Sequence, residues 1–189
     1  MTTAPASPDE ATANRLRDAA SRWGTPLYVT DLDVAGATLD AYQAAFPGAL
    51  IAYAVKANTD PRLLARMAEK GAGAEVVNEV ELALARRAGI PGERIVMNGV
   101  GKTDADHEAA REAGALINAE SLAELDSLLA RYPGSVLAAD ARVRKFRTLA
   151  RLGRAEQARA AAEDYLRHHP EGFAAGEARK LVAPQGSPP

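Results

Sequence analysis

The sequence contains no cysteine, which excludes disulfide bonds and thiolate ligands for a metal ion. It has no apolar stretch long enough to cross a bilayer, and its first residues lack the basic and apolar regions of a signal peptide. The formal net charge of -2 provides no broad basic surface for nucleic acid or an anionic membrane. We therefore expect a cytoplasmic protein that binds neither nucleic acid nor membrane.

Histidine is also scarce, with 3 residues in the chain of 189. His107 lies on a polar face of a predicted helix. His168 and His169 are adjacent, so their side chains diverge around a helix and do not converge on one metal ion. We predict solvated histidines and no metal site.

What the sequence does contain is a regular alternation of apolar runs and amphipathic segments. Its hydrophobic content of 47% and charged content of 25% are those of a globular domain. Four strands are predicted, at Leu50–Val55, Gly73–Val77, Arg94–Met97 and Ala115–Asn118. Each is followed by a predicted helix, at Asp60–Lys70, Glu79–Ala88, Asp104–Ala113 and Ser121–Arg131. Four consecutive βα units with continuous apolar strands indicate an α/β fold whose parallel sheet is buried on both faces.

The segments that flank this alternation have a different pattern. Before it, helices are predicted at Asn14–Trp23 and Asp33–Phe46, with strand-like residues at Leu27–Thr30 between them. After a turn at 132–135, two Ala- and Arg-rich helices are predicted, at 137–152 and 155–168. The predicted organisation is a disordered N-terminus (1–13), a βα segment (14–132), a helical tail (133–183) and a disordered C-terminus (184–189).

The segment IAYAVKANTD, residues 51–60, carries the clearest chemical signal. Lys56 ends a predicted buried strand, and a lysine there in a βα barrel points its amine into the mouth that holds the active site. Burial lowers the pKa of a lysine, and the free amine can form a Schiff base with an aldehyde such as pyridoxal phosphate (PLP). The alternative is a surface lysine that happens to follow a strand, and the residue pattern alone leaves both open.

Four stretches of the chain resemble one protein family, in order and at matching separations. They are GTPLYVTD (24–31), YAVKAN (53–58), GAGAEVVNEVELALARRAGIPGERIVMNGVGKTD (71–104) and LINAESLAELDSL (116–128). The chain resembles the diaminopimelate decarboxylase group of PLP-dependent decarboxylases, whose barrel is of the alanine racemase-like class. The resemblance implies half of a TIM-type βα barrel, and the helical pattern of the tail predicts an α-helical hairpin after it. It also implies PLP as the cofactor, Lys56 as its Schiff-base residue and an amino acid as the substrate.

Two further residues take a cofactor-binding role from the same resemblance. Ala54 matches a small residue that the family packs beside the cofactor, and Glu75 matches a position where the family usually has Asp near the lysine. A solvated loop carboxylate is the alternative for Glu75. The following loop departs from the family's V-V-S-x-G-E-L pattern, because 77–82 of this chain lack the glycine.

A glycine-rich loop at Asn98–Thr103 resembles half of a P-loop. The full pattern needs a glycine where this chain has Val96, so we reject a nucleoside triphosphate site. The family has a similar glycine-lysine loop, which is the better account. The helix N-terminus that follows would hold an anion only weakly.

The tail, at 141–172, resembles a tetratricopeptide repeat. Gly153, Ala158 and Pro170 fall at that repeat's spacing, and a further helix at 172–182 would begin the next repeat. One and a half repeats do not bury their own apolar face, since about three are usually required.

The resemblance implies further cofactor- and substrate-binding groups that four βα units do not supply, so we expect no turnover by the chain alone. Three functions stay open: a decarboxylase-family segment joined to a repeat-like tail, a non-catalytic binding module whose tail contacts a partner, or an unproductive hybrid. Four parallel strands also cannot close a barrel, so three outcomes stay open: a homodimer of half-barrels, a tail that covers the open side, or a molten chain that aggregates. We favour the homodimer, followed by covering by the tail. The residues predicted to line that side are Tyr53, Val55, Val77, Val96 and Ile117.

Overall fold

The computed structural model describes residues 8–183, and their contacts divide into two compact units. The first unit comprises residues 8–97 and 102–116, and the second comprises 98–101 and 117–183. The first contains a parallel sheet and helices, which confirms the predicted α/β class. The units divide earlier than the boundary predicted near residue 133, because the helix at Leu122–Arg131 contacts the helix that follows it.

The first unit follows the predicted order of elements, with each strand shorter than its apolar run. Its helices are α1 (Glu10–Trp23), α2 (Leu32–Ala45), α3 (Pro61–Glu69), α4 (Glu79–Arg87) and α5 (Asp104–Ala113). Its strands are β1 (Ala52–Ala54), β2 (Gly73–Val76) and β3 (Ile95–Met97), and β4 (Leu116–Ile117) lies where the two units divide. Short 3₁₀ turns lie at Val55–Ala57 and Gly92–Arg94.

Side-chain caps explain where α3 and α5 begin. The carboxylate of Asp60 accepts a hydrogen bond from the Arg62 amide at 2.8 Å at the start of α3. Thr103 and Asp106 form a reciprocal capping box at the start of α5. Gly114 ends α5 with a φ of 72°, which a residue without a Cβ adopts at little steric cost.

The sheet has the strand order β1-β2-β3-β4, and the pairs β1-β2 and β2-β3 are parallel. The register places Ala54 beside Glu75 and Glu75 beside Val96, so these side chains form a row on one face. Residues one position earlier form the corresponding row on the opposite face. They are Tyr53, Ala74 and Ile95.

Helices cover the face that carries the second row. Val76, Ile95 and Met97 on this face are fully buried. The other face is half-exposed, because Glu75 and Val96 have intermediate exposure in their row. The prediction of strands buried on both faces is therefore wrong for the described part of this chain.

The face assignment also corrects two residues of the predicted open side. Tyr53 packs against a cluster formed by α2 and α3, and Val55 is fully buried. Side chains alternate along a strand, so Tyr53 points away from the face of Ala54, on which the inner side of a barrel would lie. Val77 and Val96 are half-buried. The α2–α3 cluster consists of Leu39, Leu63, Met67 and Ala72.

Three local expectations are wrong. Disorder predicted for 1–13 does not extend to Asp9, which caps α1, and residues 1–7 and 184–189 lie outside the described residues. Leu27–Thr30 forms no strand. His107 is 4% exposed rather than solvated, because α5 packs against α4 along the turn that contains it.

The second unit is mainly helical. Its helices are α6 (Leu122–Arg131), α7 (Ala138–Arg151), α8 (Ala155–His168) and α9 (Ala175–Val182). The ring centroids of Phe146 on α7 and Tyr165 on α8 lie 5.9 Å apart, edge to face, in the centre of its core. The Tyr165 hydroxyl accepts a hydrogen bond from the Ala174 amide at 3.1 Å, which fixes the approach to α9. Small residues let α8 pack closely; they are Ala158, Ala161 and Ala162.

Candidate active site

Lys56 lies in the 3₁₀ turn that directly follows β1. The preceding residue, Val55, is fully buried and anchors the turn against the helix-covered face. The Lys56 side chain itself is 57% exposed. The structure therefore places Lys56 at the end of the first strand, as the sequence predicts, whereas its predicted burial is wrong because the half-exposed face of the sheet lies beside it.

Glu75 on β2 is the partner of this lysine. The Lys56 Nζ atom lies 3.3 Å from Glu75 Oε1, and it donates a hydrogen bond to that oxygen. The Glu75 side chain is only 18% exposed, so its carboxylate is largely shielded while the amine is accessible. Exposed ion pairs of this kind contribute about 1 kcal/mol or less to stability, so the pair serves mainly to hold the amine in position.

Strand pairing explains how these residues come together. Ala54 and Glu75 are register partners on the same face of the parallel sheet. Lys56 follows Ala54 by two residues and reaches the same side. The methyl group of Ala54 leaves space next to the amine, and Ala54 has intermediate exposure. The three residues singled out from the sequence thus lie together at one end of β1 and β2.

A hydrogen-bonded loop that the sequence analysis missed supports Lys56 from the other side. Asn58 Oδ1 accepts from the Asp60 amide at 2.9 Å, and the Asn58 carbonyl accepts from the Tyr53 hydroxyl at 3.3 Å. Burial raises the pKa of Tyr53, although the bond to Asn58 opposes this shift. The Asn-Thr-Asp sequence is a turn signal that could have identified this loop.

Asp60 completes the loop at the start of α3. The side chain of Arg62 donates to its carboxylate, at 2.9 Å between Nη2 and Oδ2, and this bond is the main reason that the pKa of Asp60 falls to about 2. Asp60 is therefore ionised at neutral pH. It binds the end of the loop rather than the lysine.

The glycine-rich loop at 98–101 belongs to the second unit. The Gly99 amide donates to Glu120 Oε1 at 3.3 Å, so the chain's own carboxylate contacts this backbone donor. At the adjacent start of α5, the Thr103 amide donates to Asp106 Oδ2 at 2.7 Å. Both backbone donors thus bind protein carboxylates, which is the arrangement of a structural turn.

Two other kinds of functional feature are absent from the described residues. No group of three or more His, Cys, Asp or Glu residues with metal-binding geometry occurs within residues 8–183. In the same range, no helix is long and apolar enough to span a membrane. The candidate site is an accessible primary amine beside a shielded carboxylate, at the carboxyl end of parallel strands. Such an amine can bind an aldehyde covalently.

Comparison with known proteins agrees with this arrangement. The model of one family, described as pyridoxal-dependent decarboxylase, pyridoxal binding domain, matches residues 34–151. The chain belongs to this family. Its match begins in α2, contains Lys56, Ala54 and Glu75, and ends with α7.

The relatives are diaminopimelate decarboxylases. The enzyme of Aquifex aeolicus is 49% identical over 114 residues, which are 60% of this chain and 27% of that protein. The enzyme of Deinococcus radiodurans is 48% identical over 102 residues, which are 54% of this chain and 27% of that protein. The crystal structure of the Helicobacter pylori enzyme complexed with L-lysine has a TM-score of 0.57 at 35% identity, over 61% of this chain and 30% of that chain.

These findings confirm the resemblance for the βα segment and the barrel-type fold. Residues 34–151 form a PLP-dependent decarboxylase domain similar to that of diaminopimelate decarboxylase, and PLP is the cofactor that the family membership implies. It spans just over a quarter of the length of the curated relatives named above, with 27% in each case. The accessible amine of Lys56 has the chemistry that covalent binding of this aldehyde cofactor requires.

Proposed function

We propose that this chain holds PLP covalently through Lys56, as the cofactor-binding segment of a diaminopimelate decarboxylase-like enzyme. The observation that carries the proposal is the position of the Lys56 amine, 3.3 Å from Glu75 Oε1 at the carboxyl end of parallel strands. When bound, PLP supplies an electron sink for bond cleavage at an amino acid's α-carbon.

The chain's own residues would act on the cofactor in distinct ways. Lys56 would provide the attacking amine. Glu75 would hold that amine at the end of the strand and accept its hydrogen bond, and Ala54 would leave room for the pyridine ring. The loop around Asn58 would keep the turn that carries Lys56 rigid, because Tyr53 and Asp60 both bind it.

The proposed substrate class is an amino acid, as expected for a relative of enzymes that act on diaminopimelate. We propose that the chain alone does not turn it over, since the matched stretch is 27% of the Aquifex aeolicus enzyme and a decarboxylase needs groups that pair with the pyridine nitrogen and the substrate carboxylate. Purified chain with PLP should release carbon dioxide from diaminopimelate, ornithine or arginine no faster than free PLP does. A cytoplasmic location is part of the same proposal.

Borohydride trapping tests the covalent site. After PLP is added and reduced, peptide mass spectrometry should find the pyridoxyl mass predominantly on Lys56. Lys180 is the matched control, because it is also exposed but lies on a helix of the second unit. Lys56→Arg, which keeps the charge, should abolish the preferred label and its absorbance band. Equal labelling of Lys56, Lys180 and Lys70 would contradict the proposal.

We also propose that the tail is tetratricopeptide-like. Three contacts support this: α7 packs on α8, α8 packs on α9, and Tyr165 lies at the centre of their core. The match to the pyridoxal binding domain includes α7 but not α8 or α9. Helix α7 therefore belongs both to the matched residues and to the proposed tetratricopeptide-like tail. An apolar core of ten buried residues gives this helical unit a centre of its own.

A further inference from the structure

The first unit presents a sheet with one helix-covered face, one half-exposed face and two edges. In the described part of the chain β1 and β4 are the end strands, each with one neighbour in the sheet. The half-exposed face carries the row Ala54, Glu75 and Val96. Lys56 emerges at the end of this row with 57% of its side chain exposed.

Within residues 8–183, no strand pairs with the outer side of β1. The Gly73 amide donates to the Ile51 carbonyl at 2.9 Å, so Ile51 turns its backbone groups towards β2. Successive residues of a strand turn these groups to opposite sides, so those of Ala52 point away from β2, towards the free edge. Unpaired edges of this kind are templates for pairing with another strand.

We propose that a second copy of this chain supplies that strand, and that two half-barrels close into one eight-stranded barrel. A two-fold axis along the barrel would place β4 of each chain beside β1 of the other. Rotation about this axis preserves strand direction, so both new seams are parallel, like the pairs within each chain. Eight parallel strands with helices outside are the number at which such a sheet closes around a side-chain-filled interior.

A second copy fits better than an unrelated partner for two reasons. The sheet supplies half of the eight strands, in sequential order and with parallel pairing, so its two edges are complementary to each other. The half-exposed face is also electrically balanced, because Lys56 and Glu75 pair within one chain. Two such faces can meet without burying an unpaired charge, which would oppose association.

Closure would change the candidate active site. The carboxyl ends of all eight strands would open at the same mouth, with one Lys56–Glu75 pair from each chain on opposite sides. The partner's half-barrel would shield the Lys56 amine from water, which the single chain does not do. The inference rests on the proposed function, since the shielded amine matters for holding PLP.

Cysteine cross-linking tests the seam, because the chain has no cysteine of its own. Leu116→Cys or Ile117→Cys on β4, which together sample both faces of that strand, is combined with Ala52→Cys or Ala54→Cys on β1, which sample two registers. Within one chain the two strands are three spacings apart, roughly 14 Å, which is too far for a disulfide. One of these pairs should therefore give a covalent dimer on a non-reducing gel.

The control pair is Leu116→Cys with Val80→Cys, since Val80 is 63% exposed on α4. A docked seam holds its thiols at a roughly millimolar effective concentration, so cross-linking at micromolar protein should be about 100-fold faster than in the control. Equal rates in all pairs would overturn the proposal. Sedimentation velocity of the unmodified chain should show a defined dimer that grows with concentration; a compact monomer throughout, or aggregation without a dimer, would also overturn it.

Ala52→Pro provides a second variant that leaves the β1–β2 bonds intact. Proline is accepted at an edge position whose amide points outward, so the circular dichroism spectrum should be retained. The dimer should be lost. A folded variant that still forms the dimer would reject pairing through β1.

Borohydride labelling of the same samples distinguishes the proposed function from the closed barrel. A dimer without label at Lys56 contradicts only the proposed function, and a labelled monomer contradicts only the closed barrel.

Discussion

Asp106 should contribute strongly to stability, because its carboxylate links the starts of α4 and α5 by hydrogen bonds. Its carboxylate is 6% exposed and accepts three hydrogen bonds of 2.7 Å, from the Glu79 amide, the Thr103 amide and the Thr103 hydroxyl. The bond to Glu79 joins the start of α5 to the start of α4 across 27 residues of sequence. Replacement of Asp106 therefore disturbs both helix starts.

The expected cost follows from these contacts. A buried donor that loses its acceptor costs about 1–3 kcal/mol, and water can reach part of this turn because Glu79 and Thr103 are exposed residues. Asp106→Ala should therefore lower the free energy of unfolding by about 2–4 kcal/mol. Asp106→Asn keeps one acceptor oxygen and should cost about 1–2 kcal/mol. In urea, with a slope of about 1.5 kcal/mol/M, the midpoint of unfolding of the alanine variant should fall by roughly 1.3–2.7 M.

The dependence on pH supplies a second measurement. Burial alone would raise the pKa of Asp106, but the hydrogen bonds from Thr103 and Glu79 outweigh it and hold the pKa below the ordinary value of 3.8. The ionised carboxylate thus contributes stability above about pH 4, and this contribution is lost as the pH falls through the lowered pKa. The stability difference between the unmodified chain and Asp106→Asn should shrink over the same range.

Circular dichroism during urea unfolding, from about pH 7 to pH 3, measures both effects. Asp104→Asn is the matched control, because Asp104 is an exposed aspartate in the same first turn and carries the same helix-dipole effect. Asp106 variants that unfold at the same urea concentration as the control, with the same pH profile, would refute the argument. Faster hydrogen exchange at the Glu79 amide in Asp106→Asn would locate the change.

Two further predictions concern the second unit. Limited proteolysis should cut between about residues 129 and 139, where Val136 is 96% exposed; protection there with cleavage inside 50–121 would mean that the linker is covered. Gly172→Ala should destabilise the chain because its Cβ would collide with the Tyr165 hydroxyl. Tyr165→Phe removes that hydroxyl, so a double-mutant cycle in urea should show a coupling of about 0.5–3 kcal/mol; additive effects would contradict the collision.

Much of the candidate site could be predicted from the sequence, because its signals are local. The run before Lys56 and the turn residues after it define a strand end without knowledge of any distant residue. The start of α5 also follows from its local capping box, and the bounds of α8 follow from helical periodicity. Lys56 is a candidate from this local pattern, whereas Ala54 and Glu75 are candidates only through the family resemblance.

Other features depend on residues far apart in the chain. His107 looks polar in its own helix, and its burial results from the packing of α5 on α4. Asp106 shows a local capping pattern, but its bond to Glu79 requires the neighbouring βα unit. The opposite faces of Tyr53 and Ala54 likewise depend on where the helices lie, which alternation alone does not specify.

The sequence by itself determined the order of helices and strands and the place of Lys56 at the end of β1, because periodicity and capping act over a few residues. Only the tertiary structure decided that Ala54 and Glu75 are register partners, that the Lys56 amine meets the Glu75 carboxylate at 3.3 Å, and that one face of the sheet stays half-exposed. Strand register and helix placement arise from contacts between distant segments. A one-residue shift of β2 relative to its neighbouring strands would have turned Glu75 to the opposite face of the sheet.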